Sequence, residues 1–165
     1  MSKSIDDLKA AFAGESQANR RYLAFARKAD DEGYPQVARL FRAAAAAETV
    51  HALNHLRASG EVKSTTENLQ AAIGGEHYEA TVMYPDFIAD AEKDQDKKAL
   101  ASFHYALAVE KMHEALYTKA LEALSKDAPA AEYYVCPICG ATFEGSAPDR
   151  CPVCSTPGTR FEKIS

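Results

Sequence analysis

Two Glu-x-x-His motifs constrain the fold of this chain more than any other feature of its sequence. They pair Glu48 with His51 and Glu110 with His113, and each lies in a stretch with helical periodicity. Residues three apart share one face of an α-helix, so each motif presents a carboxylate and an imidazole to the same neighbour.

Each motif has a partner glutamate upstream, at nearly the same distance. Glu15 precedes the first motif by 33 residues, and Glu76 precedes the second by 34. Two helices that each give one glutamate, with two that each give Glu-x-x-His, supply the ligands of a carboxylate-bridged two-metal site. The sequence therefore predicts an all-α four-helix bundle built around such a site.

The two halves of this pattern resemble a duplicated helical hairpin. A Gly-Glu pair opens each half, and a phenylalanine precedes each Glu-x-x-His motif by seven residues. Tyr22 and Tyr84 also correspond, with one extra residue in the second half. A duplicated hairpin gives a pseudo-twofold site, which suits two metals held by bridging glutamates.

Two of the acidic residues have a simpler interpretation when taken alone. Glu15 lies in an apolar helical stripe, where a buried carboxylate is costly unless it is paired or bound to metal, but it could equally be solvated at the edge of the stripe. Glu79 shares a helix face with Glu76, but the symmetric pattern needs only one glutamate there. Taken alone, Glu79 is therefore better explained as an exposed charge on the helix surface. His55, His77 and His104 lack ligand spacing or phase, and we do not assign them to the site.

Start and stop signals indicate four helices, over about 4–33, 35–59, 66–94 and 96–124. Ser4 is expected to cap the first helix, and Thr65 or Thr66 the third. Pro85 lies inside the third helix and is expected to kink or locally unwind it.

The C-terminal segment has a different character. Cys136-Pro-Ile-Cys139 and Cys151-Pro-Val-Cys154 are separated by eleven residues, a spacing that makes a tetrahedral sulfur site for zinc or for a single iron. Spacing alone leaves these two metals nearly balanced. So short a segment needs its metal to fold. We therefore predict a helical domain over 1–126, a linker over 127–132 and a metal-bound β domain over 133–165.

Composition sets modest limits on function. The formal net charge of −5 provides no basic surface, so we do not expect nucleic acid as a partner. No apolar run approaches ~18 residues, and the first residues lack the apolar core of a signal peptide, so we expect a cytoplasmic protein that does not enter the membrane. Thiols stay reduced in that compartment, which favours metal binding over disulfides.

The motifs, taken in order, resemble those of the rubrerythrin family over nearly the whole chain. They are Gly-Glu-Ser-Gln-Ala-Asn-Arg-Arg-Tyr at 14–22, Gly-Glu-His-Tyr-Glu at 75–79, Met-Tyr-Pro at 83–85, both Glu-x-x-His pairs, and the rubredoxin-like Cys-Pro-x-Cys-Gly at 136–140. The resemblance implies a ferritin-like bundle with two iron ions and a rubredoxin-like domain with one. It further implies a non-haem diiron peroxidase that reduces hydrogen peroxide to water in defence against oxidative stress.

The resemblance also implies a role for each ligand. Glu48 and Glu110 would bridge the irons, and the terminal ligands would be Glu15, Glu76 and His113. One iron would exchange His51 for Glu79 as its oxidation state changes, because the added anion compensates the charge of the ferric ion. Tyr22 and Tyr84 would hydrogen-bond the ligating carboxylates and fix their orientation.

Electrons would return singly through the four-cysteine iron, which a rubredoxin or a flavoprotein reductase would recharge. Only about ten residues join the fourth helix to the tail, and we expect this to keep the sulfur site away from the diiron site of its own chain. The sequence therefore predicts a head-to-tail homodimer, in which the tail of one subunit serves the other.

The connection between the second and third helices is shorter than a ferritin-like bundle within one chain requires. These helices run parallel in ferritin-like bundles, so the connection must cross roughly 30 Å, whereas the seven residues from Gly60 to Thr66 reach roughly 25 Å when extended. We hypothesise a swapped dimer, in which the first two helices pack against the last two of a partner chain.

Two other functions remain open at this point. A ferritin-like protein could oxidise and hold ferrous iron, although storage needs no attached electron relay. An electron carrier or regulator with a zinc-loaded tail is the third interpretation.

Overall fold

A computed structural model of the chain describes residues 2–126 and 129–164. The chain divides into two compact units, Met1–Lys63 and Ser64–Ser165. The expected linker at 127–132 stays a prediction, and its first two residues lie outside the described part of the chain.

The first unit is a helical hairpin of α1 (Lys3–Asp31) and α2 (Pro35–Ala58). Ser2 stands at the N-cap of α1, two residues before the expected Ser4. Gly33 adopts φ +81° in the connection, a conformation that glycine takes without steric cost. Pro35 occupies the first turn of α2, where its missing N–H is not needed, as expected.

Alanines line the contact between α1 and α2. Ala26, Ala38 and Ala45 are almost completely buried, and side chains this small allow two helices to approach closely. Asn19 connects the helices through its amide, which donates to the carbonyl oxygen of Ala45 at 2.7 Å and to Thr49 Oγ1 at 2.8 Å. The hairpin is therefore held by close packing and by a polar contact near its middle.

The second unit begins with α3 (Thr65–Tyr78). Its N-cap is Ser64, one residue before the expected Thr65, because Ser64 is the hydroxyl residue that lies three before Glu67. Ser64 Oγ accepts from the Glu67 amide at 3.3 Å, and the Glu67 carboxylate accepts from the Ser64 amide at 3.2 Å. This reciprocal pair is a capping box, and it fixes where the helix starts.

The helical path changes pitch after α3. Glu79–Met83 form a π-helical turn, and α4 (Tyr84–Lys93) follows directly. Pro85 lies in the first turn of α4, where its ring would clash with the carbonyl of Thr81 in a regular α-helix. The expected local unwinding before Pro85 is confirmed, and it takes the form of this wider turn.

The last helix is α5 (Lys97–Glu122), close to the expected range. Asp96 caps it by accepting from the amides of Lys98 at 2.9 Å and Ala99 at 3.0 Å. Both α3 and α4 pack against α5. No helix among the described residues is long and apolar enough to cross a membrane.

A small antiparallel sheet follows α5, with strand order β2-β1-β3. The strands are β1 (Tyr133–Val135), β2 (Thr142–Glu144) and β3 (Glu162–Ile164). Three strands of three residues bury little apolar surface, and among the described residues the largest fully buried side chains are Cys136 and Cys151. Ferritin-like helices followed by a small cysteine-centred β domain confirm the expected fold class.

Candidate metal centre

The first unit brings together Glu15, Glu48 and His51. Their ligand atoms lie within 4.8 Å of one another. His51 Nδ1 lies 2.9 Å from Glu48 Oε2, as expected for side chains three apart on one helix. His51 is 54% exposed and Glu48 only 18%, so the histidine is the more accessible of the pair.

The second unit assembles the matching set of Glu76, Glu110 and His113, also within 4.8 Å. His113 Nδ1 lies 2.8 Å from Glu110 Oε2 and 3.9 Å from Glu76 Oε1. All three side chains are more than two-thirds buried. Each half of the duplicated sequence therefore carries a preassembled carboxylate and imidazole set.

The electrostatics of the second set favour a cation. Burial and the neighbouring Glu110 carboxylate raise the pKa of Glu76 to about 7. Burial and Glu110 likewise raise the pKa of Glu79, against the opposing effect of His113. Carboxylates that repel one another in a partly buried site are stabilised by a metal ion between them, so this set of carboxylates with an imidazole fits iron.

Glu79 lies beside the second set rather than within it. It begins the π-helical turn, and the proximity of Glu110 to its carboxyl group is evident in its raised pKa. This position suits a carboxylate that lies next to the candidate metal ligands and is not itself part of the cluster. The predicted exchange of His51 for Glu79 stays a prediction.

The two predicted tyrosines occupy equivalent aromatic clusters. Tyr22 contacts Phe25 and Phe41, with ring centroids 6.4 and 6.1 Å away. Tyr84 has corresponding phenylalanine neighbours, and its pKa is raised by burial and by Glu110 and other nearby glutamates. Within 2–126 and 129–164 neither hydroxyl bonds a carboxylate, so their role in orienting ligands stays a prediction.

The four cysteines converge on one point. Cys136 Sγ lies 3.5 Å from Cys154 Sγ, and Cys139 Sγ lies 3.5 Å from Cys151 Sγ. These separations exclude disulfides, which need about 2.05 Å. A regular tetrahedron with metal–sulfur bonds of about 2.3 Å has edges of about 3.8 Å, so the site fits one iron ion.

Hydrogen bonds tune these sulfurs unequally. Burial opposes ionisation of Cys154, but hydrogen bonds from Thr156 and from the neighbouring thiols lower its pKa to about 6. Thr156 is itself buried, with its Oγ1 3.1 Å from Cys154 Sγ. Burial raises the pKa of Cys139 well above its usual range. The thiolate needed for metal binding therefore forms more easily at Cys154 than at Cys139.

The four-cysteine site packs against α5 of its own chain. Val109 on α5 forms a buried cluster with Cys136, Ala141 and Cys151, and Met112 packs against it. Val109 directly precedes Glu110, so the sulfur site lies beside a bundle ligand. The expectation that a short tail keeps the sulfur site away from its own chain's ligands is wrong, because the tail folds back along α5 instead of extending.

Two polar contacts hold β2 to the same helix. His113 Nε2 lies 3.0 Å from Thr142 Oγ1, and Lys119 Nζ lies 2.6 Å from Glu144 Oε2. Sequence reasoning missed Thr142 because no local pattern relates it to His113, 29 residues earlier. Only the tertiary contact reveals it.

The remaining histidines lie outside both clusters. His77 Nδ1 is 2.9 Å from Glu114 Oε1, an ion-pair geometry that links α3 to α5. His55 is half-buried on α2 and His104 is exposed on α5. In the described residues none of the three joins a group of potential metal ligands.

Comparison with known proteins places this arrangement in a family. The rubrerythrin family model matches residues 6–121, and the model for the rubredoxin-like domain of rubrerythrin matches residues 134–162. Rubrerythrin-2 of Clostridium acetobutylicum is 36% identical, over 96% of this chain and 95% of that protein. Nigerythrin of Nitratidesulfovibrio vulgaris is 38% identical, over 96% of this chain and 85% of that protein.

A solved structure supports the same assignment. Nigerythrin in its fully reduced, all-ferrous state matches with a TM-score of 0.60 and 33% identity, over 99% of this chain and 88% of that one. The family thus brings a two-iron site and a single four-cysteine iron, and the Glu and His clusters and the four cysteines are side chains that could hold these ions. The chain belongs to the rubrerythrin family of iron-binding oxidoreductases.

Proposed function

We propose that this protein is a peroxidase that reduces hydrogen peroxide to water at its two-iron site, in defence against oxidative stress. The packing of the four-cysteine site against Val109, next to Glu110, carries this proposal. A one-electron relay is useful to a redox enzyme only when it lies close to the reacting metals. A protein that stores iron has no need of it.

The reaction consumes one peroxide, two electrons and two protons, and it yields two water molecules. The bound irons supply the redox chemistry by passing between the ferrous and ferric states. An iron held by the four cysteines would carry one electron at a time, so each peroxide would require two deliveries. We propose a rubredoxin or a flavoprotein reductase as the source of these electrons.

The protein residues supply charge compensation and access. Glu79 lies close enough to Glu110 for the Glu110 charge to raise its pKa. Its carboxylate is therefore near enough to the proposed ligands to add a negative charge when the positive charge on the metals increases. A cleft of about 290 Å³ is lined by Glu110 and His113 and also by Cys139 and Gly140. A molecule as small as hydrogen peroxide fits this space.

Anaerobic stopped-flow spectroscopy tests the proposal. The iron-loaded protein is fully reduced and mixed with hydrogen peroxide, and the visible band of the ferric four-cysteine iron is followed. We expect rapid oxidation that consumes one peroxide for each two electrons, and strong slowing in Glu79→Ala. Glu32→Ala, a change in an exposed residue between α1 and α2, is the matched control and leaves the rate unchanged.

Slow oxidation of the wild-type protein by peroxide would contradict the proposal. If the same protein quickly oxidised added ferrous iron with oxygen, iron handling would replace peroxide reduction as the function. A colourless protein with zinc in the four-cysteine site after expression in iron-rich medium would also contradict an electron relay.

A further inference from the structure

Asn19 lies one helical turn after Glu15 on α1, on nearly the same face as that candidate ligand. Its side-chain amide crosses to α2, where Nδ2 donates to the Ala45 carbonyl oxygen at 2.7 Å and to Thr49 Oγ1 at 2.8 Å. Ala45 lies three residues before Glu48, and Thr49 directly follows it. The amide therefore joins the helical turn that carries Glu15 to the turn that carries Glu48.

The hydroxyl of Thr49 closes this arrangement into a triangle. Thr49 Oγ1 donates to the same Ala45 carbonyl at 3.2 Å, so its oxygen is left to accept from Asn19. The two acceptors of the amide are thus bonded to each other, and only the NH₂ end of an amide can donate to them. We call Asn19, Ala45 and Thr49 the amide clasp, and it holds the Asn19 side chain in one orientation.

The packing around the clasp leaves room for the helices to slide. Buried alanines such as Ala38 and Ala45 let α1 and α2 approach closely, but their short side chains make shallow ridges that define the axial register weakly. The rings of Tyr22 and Phe41 also meet between the helices, on the Gly33 side of the clasp. A hydrogen bond weakens steeply when its geometry is disturbed, so the clasp fixes the register on the side of the candidate ligands.

The second half of the duplicated sequence lacks the groups for such a clasp. The positions that correspond to Asn19 and Thr49 are Ala80 and Lys111. An alanine side chain has no hydrogen-bonding group, and a lysine cannot accept. A different contact links α3 to α5 beside the second set, where His77 Nδ1 lies 2.9 Å from Glu114 Oε1. Each half therefore holds its ligand set by its own contact, and a change in the clasp acts on the first set.

We propose that Asn19 is a positioning residue that fixes Glu15 relative to Glu48 before an ion binds. The ligand atoms of Glu15, Glu48 and His51 lie within 4.8 Å of one another. Ligands held in place bind an ion without first losing side-chain and helix freedom, so the clasp raises the affinity of the first set. This role in ion binding is independent of the reaction that the irons catalyse.

Cobalt titration of the metal-free protein tests this role without turnover. One equivalent of zinc first fills the four-cysteine site, because zinc binds thiolates well, and Co²⁺ is then added while its visible absorption is followed. We expect Asn19→Leu to weaken one of the two cobalt equivalents about tenfold or more and to leave the other unchanged. Leucine has the branching of asparagine and favours a helix, so this variant removes the hydrogen bonds and keeps an apolar contact.

Thr49 provides variants in which Asn19 itself is unchanged. Thr49→Val removes the hydroxyl and Thr49→Ser keeps it, and the exposed position of Thr49 allows both proteins to fold. We expect a smaller loss of affinity in Thr49→Val than in Asn19→Leu, because the bond to Ala45 remains, and wild-type affinity in Thr49→Ser. The double variant Asn19→Leu with Thr49→Val should lose no more than Asn19→Leu alone, because Thr49 acts through Asn19.

Two matched controls separate the clasp from other contacts of the hairpin. Asp30→Ala removes a different polar contact between α1 and α2, in which Arg42 Nη1 lies 2.7 Å from Asp30 Oδ2, fifteen residues along α1 from Glu15. Ser16→Ala removes a hydroxyl directly beside Glu15 that donates to the Phe12 carbonyl within its own helix. We expect both controls to keep the two cobalt affinities of the wild type.

Thermal unfolding of the metal-free variants distinguishes positioning from stability alone. An amide with a purely structural role would lower the unfolding midpoint in Asn19→Leu, while the folded protein kept the cobalt affinities and the visible band of the wild type. That result would overturn the proposal, and so would equal weakening of both cobalt equivalents or a loss of affinity in Thr49→Ser. A protein that binds cobalt as expected but does not reduce peroxide would overturn the proposed function and leave the role of Asn19 standing.

Discussion

The ring of Tyr84 packs against the ring of Phe103 with centroids 6.2 Å apart, and this contact repeats that of Tyr22 with Phe41 at 6.1 Å. The two contacts are similar although the spacing in sequence differs. Tyr84 follows Glu76 by eight residues, whereas Tyr22 follows Glu15 by seven. The π-helical turn Glu79–Met83 absorbs the extra residue, because a π turn accommodates one residue more than an α turn.

Removing one residue from this turn tests the relationship. We expect deletion of the exposed Val82 to leave the chain helical but to rotate Tyr84 relative to Glu76, so that α3 and α4 cannot both pack on α5. Iron content of the two-iron site and its zinc affinity should both fall, the latter about tenfold or more. Far-UV circular dichroism and metal titration measure the two effects.

Substitution without deletion provides the control. Val82→Ala keeps the residue count, so metal affinity should stay at the wild-type level. Normal metal binding in the deletion variant would show that the extra residue is unimportant for the site.

The raised pKa of Glu76 predicts a pH dependence of the metal-free protein. The folded state holds a proton up to about pH 7, whereas the unfolded chain releases it near its usual value of about 4.5. This contribution to the free energy of unfolding is therefore complete below about 4.5 and is lost as the pH rises through about 7. The raised pKa of Glu79 acts in the same direction.

Thermal unfolding of the metal-free protein at pH 5 and pH 7.5 measures this effect. We expect a lower midpoint at pH 7.5, and a smaller difference in Glu76→Gln, whose amide resembles the protonated acid. Added zinc should remove the difference in wild type, because the ion replaces the proton between the carboxylates. A midpoint that rises over this range would contradict the assignment to Glu76.

Thr156 provides a prediction for the four-cysteine iron. Its hydroxyl lies 3.1 Å from Cys154 Sγ and helps to lower the pKa of that thiol. Hydrogen bonds to sulfur stabilise the reduced, more negatively charged site. We therefore expect Thr156→Val to shift the reduction potential to a more negative value.

Redox titration of the visible band measures this shift. Thr159→Val, at an exposed residue of the same domain, should leave the potential unchanged. A potential that is unchanged or more positive in Thr156→Val would remove Thr156 from the control of the iron.

The bounds of α2 and α3 sharpen the prediction of a swapped dimer. Glu48 lies about 15 Å before the end of α2, and Glu76 lies about 16 Å after the start of α3. A connection between parallel helices must then cross about 31 Å, whereas the seven steps from Ala58 to Thr65 reach only about 25 Å when fully extended. We therefore propose that the first unit of one chain completes the site of a second chain.

Complementation between two inactive chains tests the swap. Co-expressed Glu48→Ala and Glu110→Ala chains form, in a swapped dimer, one site with both changes and one intact site. We expect the doubly tagged dimer to regain half of the wild-type two-iron content. In an unswapped dimer every site carries one change, so an absence of recovery would contradict the swap.

Local chemistry determined much of this protein before any tertiary contact was known. The spacing of Glu110 and His113 places two ligands on one helix face, and Cys-x-x-Cys knuckles bring sulfurs together over a few residues. The ends of the helices depend on hydroxyl and proline residues nearby in the sequence. The predicted N-caps therefore differ from the observed Ser2 and Ser64 by only one or two residues. The motifs that resemble the rubrerythrin family are also short contiguous segments, so they can be recognised without any tertiary contact.

The tertiary structure decided where these local pieces meet. The tail lies along α5 because Val109 and Met112 offer an apolar face to the cysteine knuckles, and no short-range pattern encodes that contact. The pairing of His113 with Thr142 and the raised pKa of Glu76 likewise depend on contacts between residues far apart in the sequence. The sequence alone thus predicted which side chains could hold metal, whereas packing between distant segments decided how the four-cysteine segment meets α5.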